Sequence, residues 1–261
     1  MTDFHSSFAC ALLEIAHDAG RLLLRYLHSN PVPRRKADGT PVTAADEAAE
    51  KLIVERLMAL TPGIAVIAEE HVASHGASSP GGRFYLVDPL DGTDEFIQGR
   101  GEFTVNIALI EGGEPVCGAL VAPARYRAFA GTKNTGAFEL HAPRDAALDV
   151  RQAKRIAARK PPAAPRILVS RSHAGREVET YAQSGGDIIA MSSSLKFAIV
   201  AAGEADLYPR TGVTMEWDTA AGQAVLEAAG GTVRTLSGEP FRYGKFDAGL
   251  RIPGFIARGQ I

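Results

Sequence analysis

Apolar positions at three- and four-residue steps, Phe8, Leu12, Ile15, Ala19, Leu22, Leu23 and Tyr26, share one face and predict a long amphipathic helix over residues 4–27. NPVPRRKADGTPV breaks that spacing, and TAADEAAEKLIVERLMAL resumes it from Ala44 up to Thr61-Pro62-Gly63. The pattern then turns β-rich. IAVIAEE and FYLVDP are short strand-like runs separated by HVASHGASSPGG, a small, polar segment expected to be mobile. FTVNIALI alternates around Asn106 and leads through EGGEP into VCGALVAP, which predicts an antiparallel hairpin; RAFAGTKNTGAFEL predicts a second.

Residues 143–166 are basic and rich in Ala and Pro, so they read as a connector. This divides the chain into an N-terminal α+β lobe, 1–145, built on an antiparallel sheet, and a C-terminal α/β lobe, 146–261. In the second lobe RILVS, DIIAMS, ADLYP and TVRTL alternate with helical segments at Gly175, SLKFAIVAAG and TAAGQAVLEAAGG, which suggests a largely parallel sheet. The expected class is α/β with two lobes.

Composition narrows the function. The chain has 261 residues, 46% hydrophobic and 22% charged, with a net charge of -2. No global field recruits nucleic acid or an anionic membrane, so an anionic ligand must be held by local chemistry. Cys10 and Cys117 belong to no Cys/His array, which argues against structural zinc or a disulfide framework and fits a reducing cytoplasm. No apolar stretch is long enough to span a bilayer, and Asp3 and Glu14 stand where a signal peptide is basic and then apolar. A cytoplasmic protein is expected; peripheral association with the inner membrane is compatible with this.

The candidate chemistry is acidic. VDPLDGTDEF gathers Asp88, Asp91, Asp94 and Glu95 behind an apolar strand. Two carboxylates about 4 Å apart repel by roughly 4 kcal/mol at an effective dielectric near 20, so the cluster calls for a cation. Glu69-Glu70 follows IAVIA, and Asp218 follows the lone Trp217 ahead of a helix. Singly, each reads as a helix cap or solvated surface. Together, Glu69, Asp88, Asp91 and Asp218 offer an all-oxygen set suited to Mg²⁺ or Mn²⁺ rather than zinc. Gly92 and Thr93 begin a helix whose amides favour a phosphate. Thr43 and Asp46 have capping-box spacing, and Asp46 gains a chemical role if the Thr93 hydroxyl lies beside it.

AEE after a strand, DPLDGT, and WDTAAGQAVLEAAGG resemble, in this order, the three signature segments of the inositol monophosphatase superfamily of magnesium-dependent, lithium-sensitive phosphomonoesterases. The resemblance covers nearly the whole chain. DPLDGTDEFIQGRGEFTVNIALI, SRSH and SSLKFAIVAAGEADLYPRTGVTMEWDTAAGQA are more specifically similar to its 3'(2'),5'-bisphosphate nucleotidase branch, which converts 3'-phosphoadenosine 5'-phosphate to AMP and phosphate. The resemblance implies a layered αβαβα sandwich and two or three Mg²⁺ ions, with Mn²⁺ as a substitute. The implied ligands are Glu69, Asp88, Asp91, the carbonyl of Leu90, and Asp218; Glu69 also belongs to the catalytic set. Asp46 and Thr93 are implied to orient and deprotonate the attacking water, while Asp91, Gly92, Thr93 and Asp218 also face the substrate. Ser170, His173, Ser193, Lys196 and Arg210 are implied to hold the nucleotide and its second phosphate. The branch commonly carries Lys after DPLDGT, where this chain has Asp94, which bears on substrate preference.

The implied partner is a small phosphate ester, acted on by a monomer or homodimer without nucleic acid. The nearest alternative is an inositol monophosphatase or sugar-phosphate phosphatase of the same chemistry. A haloacid-dehalogenase-type phosphatase fits less well, since its paired acids are two apart whereas Asp88 and Asp91 are three apart. From another class, the chain could be a catalytically inactive nucleotide-binding regulatory protein.

Overall fold

The continuous apolar run in FYLV is buried on both faces of one strand, and this sets the layering. Tyr85 and Val87 face a core shared with the N-terminal helices, while Phe84 and Leu86 face a core shared with C-terminal helices. The structure is a computed structural model that describes residues 8–27, 33–36, 39, 41–171, 175–181 and 185–260.

The first half comprises α1 (Phe8–Leu27), β1 (Arg34–Arg35), β2 (Pro41–Val42), α2 (Ala44–Leu60), β3 (Ala65–Ala68), α3 (Glu69–His75), β4 (Arg83–Asp91), α4 (Thr93–Ile97), β5 (Thr104–Glu111), β6 (Glu114–Ala122), β7 (Arg127–Thr132), β8 (Gly136–His141) and β9 (Lys154–Ile156). The second comprises β10 (Arg166–Ser170), α5 (Gly175–Tyr181), β11 (Asp187–Met191), α6 (Leu195–Ala201), β12 (Leu207–Arg210), β13 (Thr214–Met215), α7 (Ala220–Ala228), β14 (Thr232–Thr235), β15 (Arg251–Ile252) and β16 (Phe255–Arg258). Both helical periodicities at the N-terminus and both hairpins form as expected.

Strands β3 to β9 make a seven-stranded sheet in sequence order, antiparallel except for the parallel pair β3/β4. Helices α1 and α2 cover one face and α6 and α7 the other; the latter two also pack on a five-stranded sheet of order β11-β10-β12-β16-β14. Helix α5 lies between β10 and β11 along the chain.

Three expectations change. The segment expected to be mobile begins with helix α3, whose exposed first amides are claimed by Glu50: Glu70 N donates to its Oε2 at 2.7 Å and His71 N to its Oε1 at 2.8 Å. The second sheet is mixed, not largely parallel, because β16 inserts antiparallel between β12 and β14; only β10 with β11 and β12 is parallel. The connector holds β9, which pairs with β8, so the first sheet runs past the division expected at 145/146.

Candidate active site

The three-residue spacing of Asp88 and Asp91 has a backbone cause. Asp88 pairs with Asn106 and Asp91 with Thr104, so three steps on β4 match two on β5 and the register shifts between them. One extra residue makes a bulge, which brings both aspartates to one side of the sheet. Pro89, which lacks an N–H, occupies that irregular stretch, and Leu90 N donates to Asp88 Oδ1 at 3.0 Å. Because β3 and β4 are parallel with Ala68 opposite Val87, Glu69 emerges beside Asp88. Gly92 then turns the chain at φ 95°; a Cβ there would meet the Glu102 carbonyl oxygen at 3.1 Å, so a side chain would be strained by conformation and crowded by backbone.

Asp218 reaches the same place from the loop before α7. Glu69, Asp88, Asp91 and Asp218 line a single cavity of about 450 Å³. Burial, followed by the charges of Glu69, Asp91 and Asp218, pushes Asp88 well above the usual aspartate range. Burial and Asp218 push Asp91 up to about 7. Burial also raises Glu69, to about 8, against the attraction of Lys36 and with the repulsion of Asp218 and Glu70. Asp218 is raised by burial although the Thr214 hydroxyl and Met215 N, at 3.0 Å, both donate to its Oδ2.

These mutually repelling, desolvated carboxylates fit a divalent cation. Among the described residues no three His, Cys, Asp or Glu side chains form a ready-made ligand cage; Glu69 Oε1 instead accepts from Lys36 Nζ at 2.6 Å.

The helix cap at Thr43–Asp46 forms and does more than cap. Asp46 Oδ2 accepts from Thr43 N at 2.8 Å, and Oδ1 accepts from the Thr93 hydroxyl at 3.2 Å. Asp46 is buried, and burial raises its carboxyl despite the bonds from Thr43. The Thr93 hydroxyl also approaches the Leu90 carbonyl at 3.3 Å. Helix α2 thus presents Asp46 to the hydroxyl of Thr93, which lines the cavity, and Glu50, one turn on, to the start of α3.

Ser170, Ser193, Lys196 and Arg210 line this cavity as well, whereas His173 lies outside the described residues. Lys196 is no surface charge: it is 2% exposed, donates to the carbonyls of Ser193 at 2.6 Å and Met191 at 3.1 Å, and stands over the Tyr208 ring. Burial lowers it to about 8, against the attraction of Asp91. The Arg210 Nε is buried without a hydrogen-bond partner among the described residues. Asp94 is exposed at the rim.

Several residues at the site were not foreseen. Lys36 also donates to Glu70 at 2.8 Å, yet in RRKADGT it reads as a solvated charge. The Ser194 hydroxyl donates to Asn106 Oδ1 at 2.6 Å and meets the Thr104 hydroxyl at 2.8 Å, and Ser194 N donates to Asp91 Oδ2. Asn106 inside an apolar strand is the visible signal for that network; the partners come from some 90 residues away, beyond local pattern.

The profile of the Inositol monophosphatase family matches residues 5–251. The chain is 40% identical over 246 residues to the 3'(2'),5'-bisphosphate nucleotidase CysQ of Escherichia coli K12, covering 93% of this chain and 96% of that protein. It is 37% identical over 239 residues to the CysQ nucleotidase of Buchnera aphidicola, covering 89% and 86%. Among solved structures, CysQ from Bacteroides thetaiotaomicron superposes with a TM-score of 0.81 at 34% identity over 99% of each chain. The extragenic suppressor protein SuhB from Bartonella henselae gives 0.75 at 26% identity, covering 96% of this chain and 93% of that one.

Proposed function

The chain belongs to the inositol monophosphatase family, and from that premise we propose that it is a magnesium-dependent 3'(2'),5'-bisphosphate nucleotidase converting 3'-phosphoadenosine 5'-phosphate to AMP and phosphate. The observation that carries this reading is the Thr93–Asp46 hydrogen bond at the edge of the four-carboxylate cavity. The curated CysQ relatives supply the nucleotide.

Glu69, Asp88, Asp91, the Leu90 carbonyl and Asp218 would hold two or three ions, Mg²⁺ or in its place Mn²⁺. When bound, these ions neutralise phosphate charge and make water a better nucleophile. The chain's own part is positioning and proton transfer. Since the Thr93 hydroxyl donates to Asp46, its oxygen lone pairs are free to accept a proton from the water that attacks phosphorus, as Asp46 takes the hydroxyl's own proton. The P–O3' bond breaks as the new P–O bond forms, the leaving O3' takes a proton from solvent water to become the ribose hydroxyl, and Asp46 returns its proton to solvent. No phosphoenzyme is formed. The Gly92 and Thr93 amides face the scissile phosphate at the start of α4.

The second phosphate meets Lys196 and Arg210, with Ser170, His173 and Ser193 completing the nucleotide site. Support comes from the burial of Lys196 and from the buried Nε of Arg210. The enzyme acts in the cytoplasm as a monomer or homodimer and is inhibited by lithium; no helix among the described residues is long and apolar enough to cross a membrane.

The test is phosphate release from 3'-phosphoadenosine 5'-phosphate and from inositol 1-phosphate in parallel, with and without magnesium and with added lithium. A magnesium-dependent preference for the nucleotide is expected. Preference for inositol phosphate overturns the substrate and points to Asp94, and trapping of a phosphoaspartate overturns direct attack by water.

A further inference from the structure

The turn that carries Ser193 is held in an unfavourable shape by acids from the other half of the molecule. Ser193 has φ 60°, in the left-handed region that a non-glycine residue seldom adopts. On either side of it, Ser192 and Ser194 are pinned. The Ser192 hydroxyl donates to Glu95 Oε1 at 2.7 Å, Ser192 N donates to Glu102 Oε2 at 3.1 Å, and Ser194 N donates to Asp91 Oδ2. Glu95, Glu102 and Ser192 are all buried. Glu102 is itself fixed: Arg171 donates through Nη2 at 3.0 Å and Nε at 3.2 Å, and Arg125 donates at 3.2 Å. Arg171 also donates to the Ala190 carbonyl at 3.0 Å, so the fork ties the end of β11 to the same acid.

The far side of this turn is where Lys196 is aimed. Its ammonium donates to the carbonyls of Met191 and Ser193, the residues flanking Ser192. The direction of these carbonyls, and with it the place of the ammonium in the cavity, therefore depends on how Ser192 is held.

We propose that Glu95 and Glu102 are positioning residues that fix the Ser192–Ser194 turn and, through its carbonyls, the Lys196 ammonium, so that they set the selectivity of the site for substrates bearing a second phosphate. This rests on the nucleotidase reading above. Neither glutamate touches the reacting phosphate; each acts through a serine of the turn. A helix-start motif that supplies two candidate metal ligands thereby also supplies, one turn later, a determinant for the remote end of the substrate.

The experiment compares 3'-phosphoadenosine 5'-phosphate with adenosine 3'-monophosphate, which presents the same scissile group without the 5'-phosphate. Ser192→Ala, the mildest change, and Glu95→Ala are each expected to raise KM for the bisphosphate about tenfold while kcat stays within about twofold, as when binding away from the reacting centre is lost. KM for the monophosphate is expected to move by less than about twofold. Glu95→Gln, which keeps an acceptor for the Ser192 hydroxyl, is expected to restore most of the loss. The double variant Ser192→Ala/Glu95→Ala is expected to be no worse than either single one, since both remove one bond.

Equal KM increases on both substrates, an additive double variant, or a fall in kcat at unchanged KM overturns the positioning role. A wild-type enzyme with no preference for the bisphosphate over the monophosphate overturns the nucleotidase reading and this inference with it. Wild-type preference that survives in all variants overturns the inference alone.

Discussion

Gly118→Ala tests whether the packing of α7 on the large sheet places Asp218. Gly118 lies in β6 beneath the first turn of α7, where a Cβ would stand 2.6 Å from the Ala221 carbonyl oxygen, 2.7 Å from Ala224 Cβ and 3.1 Å from Ala221 Cα. Non-bonded carbons rest at about 3.5–4.0 Å, so the helix start must retreat by about 1 Å. The clash is with backbone and a short side chain, which cannot rotate away. Overpacking of this kind costs about 1–3 kcal/mol. In a chain of this size each kcal/mol lowers the thermal midpoint by about 2–4 °C, so a fall of about 2–12 °C is expected.

The displaced turn begins two residues after Asp218, so the carboxylate moves with it. A positional error near 1 Å can cost about a hundredfold in rate. We expect kcat to fall at least about tenfold and the magnesium concentration for half-maximal activity to rise. The assay is thermal unfolding with and without magnesium, together with a magnesium titration of turnover. Gly82→Ala, where nothing lies within 4 Å of the added Cβ, is the control and should change neither. A Gly118→Ala protein that loses stability but keeps the wild-type magnesium response would falsify the link between helix packing and the metal-binding role proposed for Asp218; an unchanged midpoint refutes the clash itself.

Asp91→Asn should abolish turnover and leave a cooperative unfolding transition, with magnesium no longer raising the midpoint; an active variant removes Asp91 from the ligand set. Thr93→Ala should lower kcat by about 10²–10⁴ with little change in KM, as for loss of a general base relay; kinetics equal to wild type would leave Asp46 without a proton route. Chelation should stop turnover, and magnesium at 100 times its Kd should stabilise the fold by about 2.7 kcal/mol, read as a higher midpoint. Asp206 is buried and accepts from Arg159 Nε at 2.7 Å, Arg159 Nη2 at 2.9 Å and Arg166 N at 2.6 Å. Burial raises its carboxyl, but these bonds outweigh that and hold it below its ordinary 3.8. A depressed pKa stabilises above the unfolded value and is lost as pH falls through the folded one. The stability gap between wild type and Asp206→Asn should therefore be full at neutral pH and close below the ordinary aspartate range; a gap that widens in acid contradicts the assignment.

Local pattern made the helices and hairpins legible, because amphipathic spacing and Gly-rich turns act over a few residues. The Thr43–Asp46 cap and the helix start after DPLDGT were readable for the same reason, and the motif order pointed to the acids that do line one cavity. Other features depend on distant partners. FIAR is short enough to escape notice, yet as β16 it decides the character of a whole sheet. Glu69 begins a helix and not a solvated strand end only because Glu50 caps it from another helix. Glu102 and Arg171 look like ordinary surface charges until folding joins them across 69 residues.

The insertion of β16 has a consequence for the order in which the molecule can be assembled. The strand is synthesised after β10, β11, β12 and β14, and it is the one that separates β12 from β14. Until residues 255–258 have left the ribosome, those two strands face a gap with unpaired edges, a condition that invites pairing with the wrong partner. The N-terminal sheet, whose neighbours follow one another along the chain, faces no such wait. We expect the nascent chain to acquire its first sheet early and to remain silent as a catalyst until the last strand closes the second.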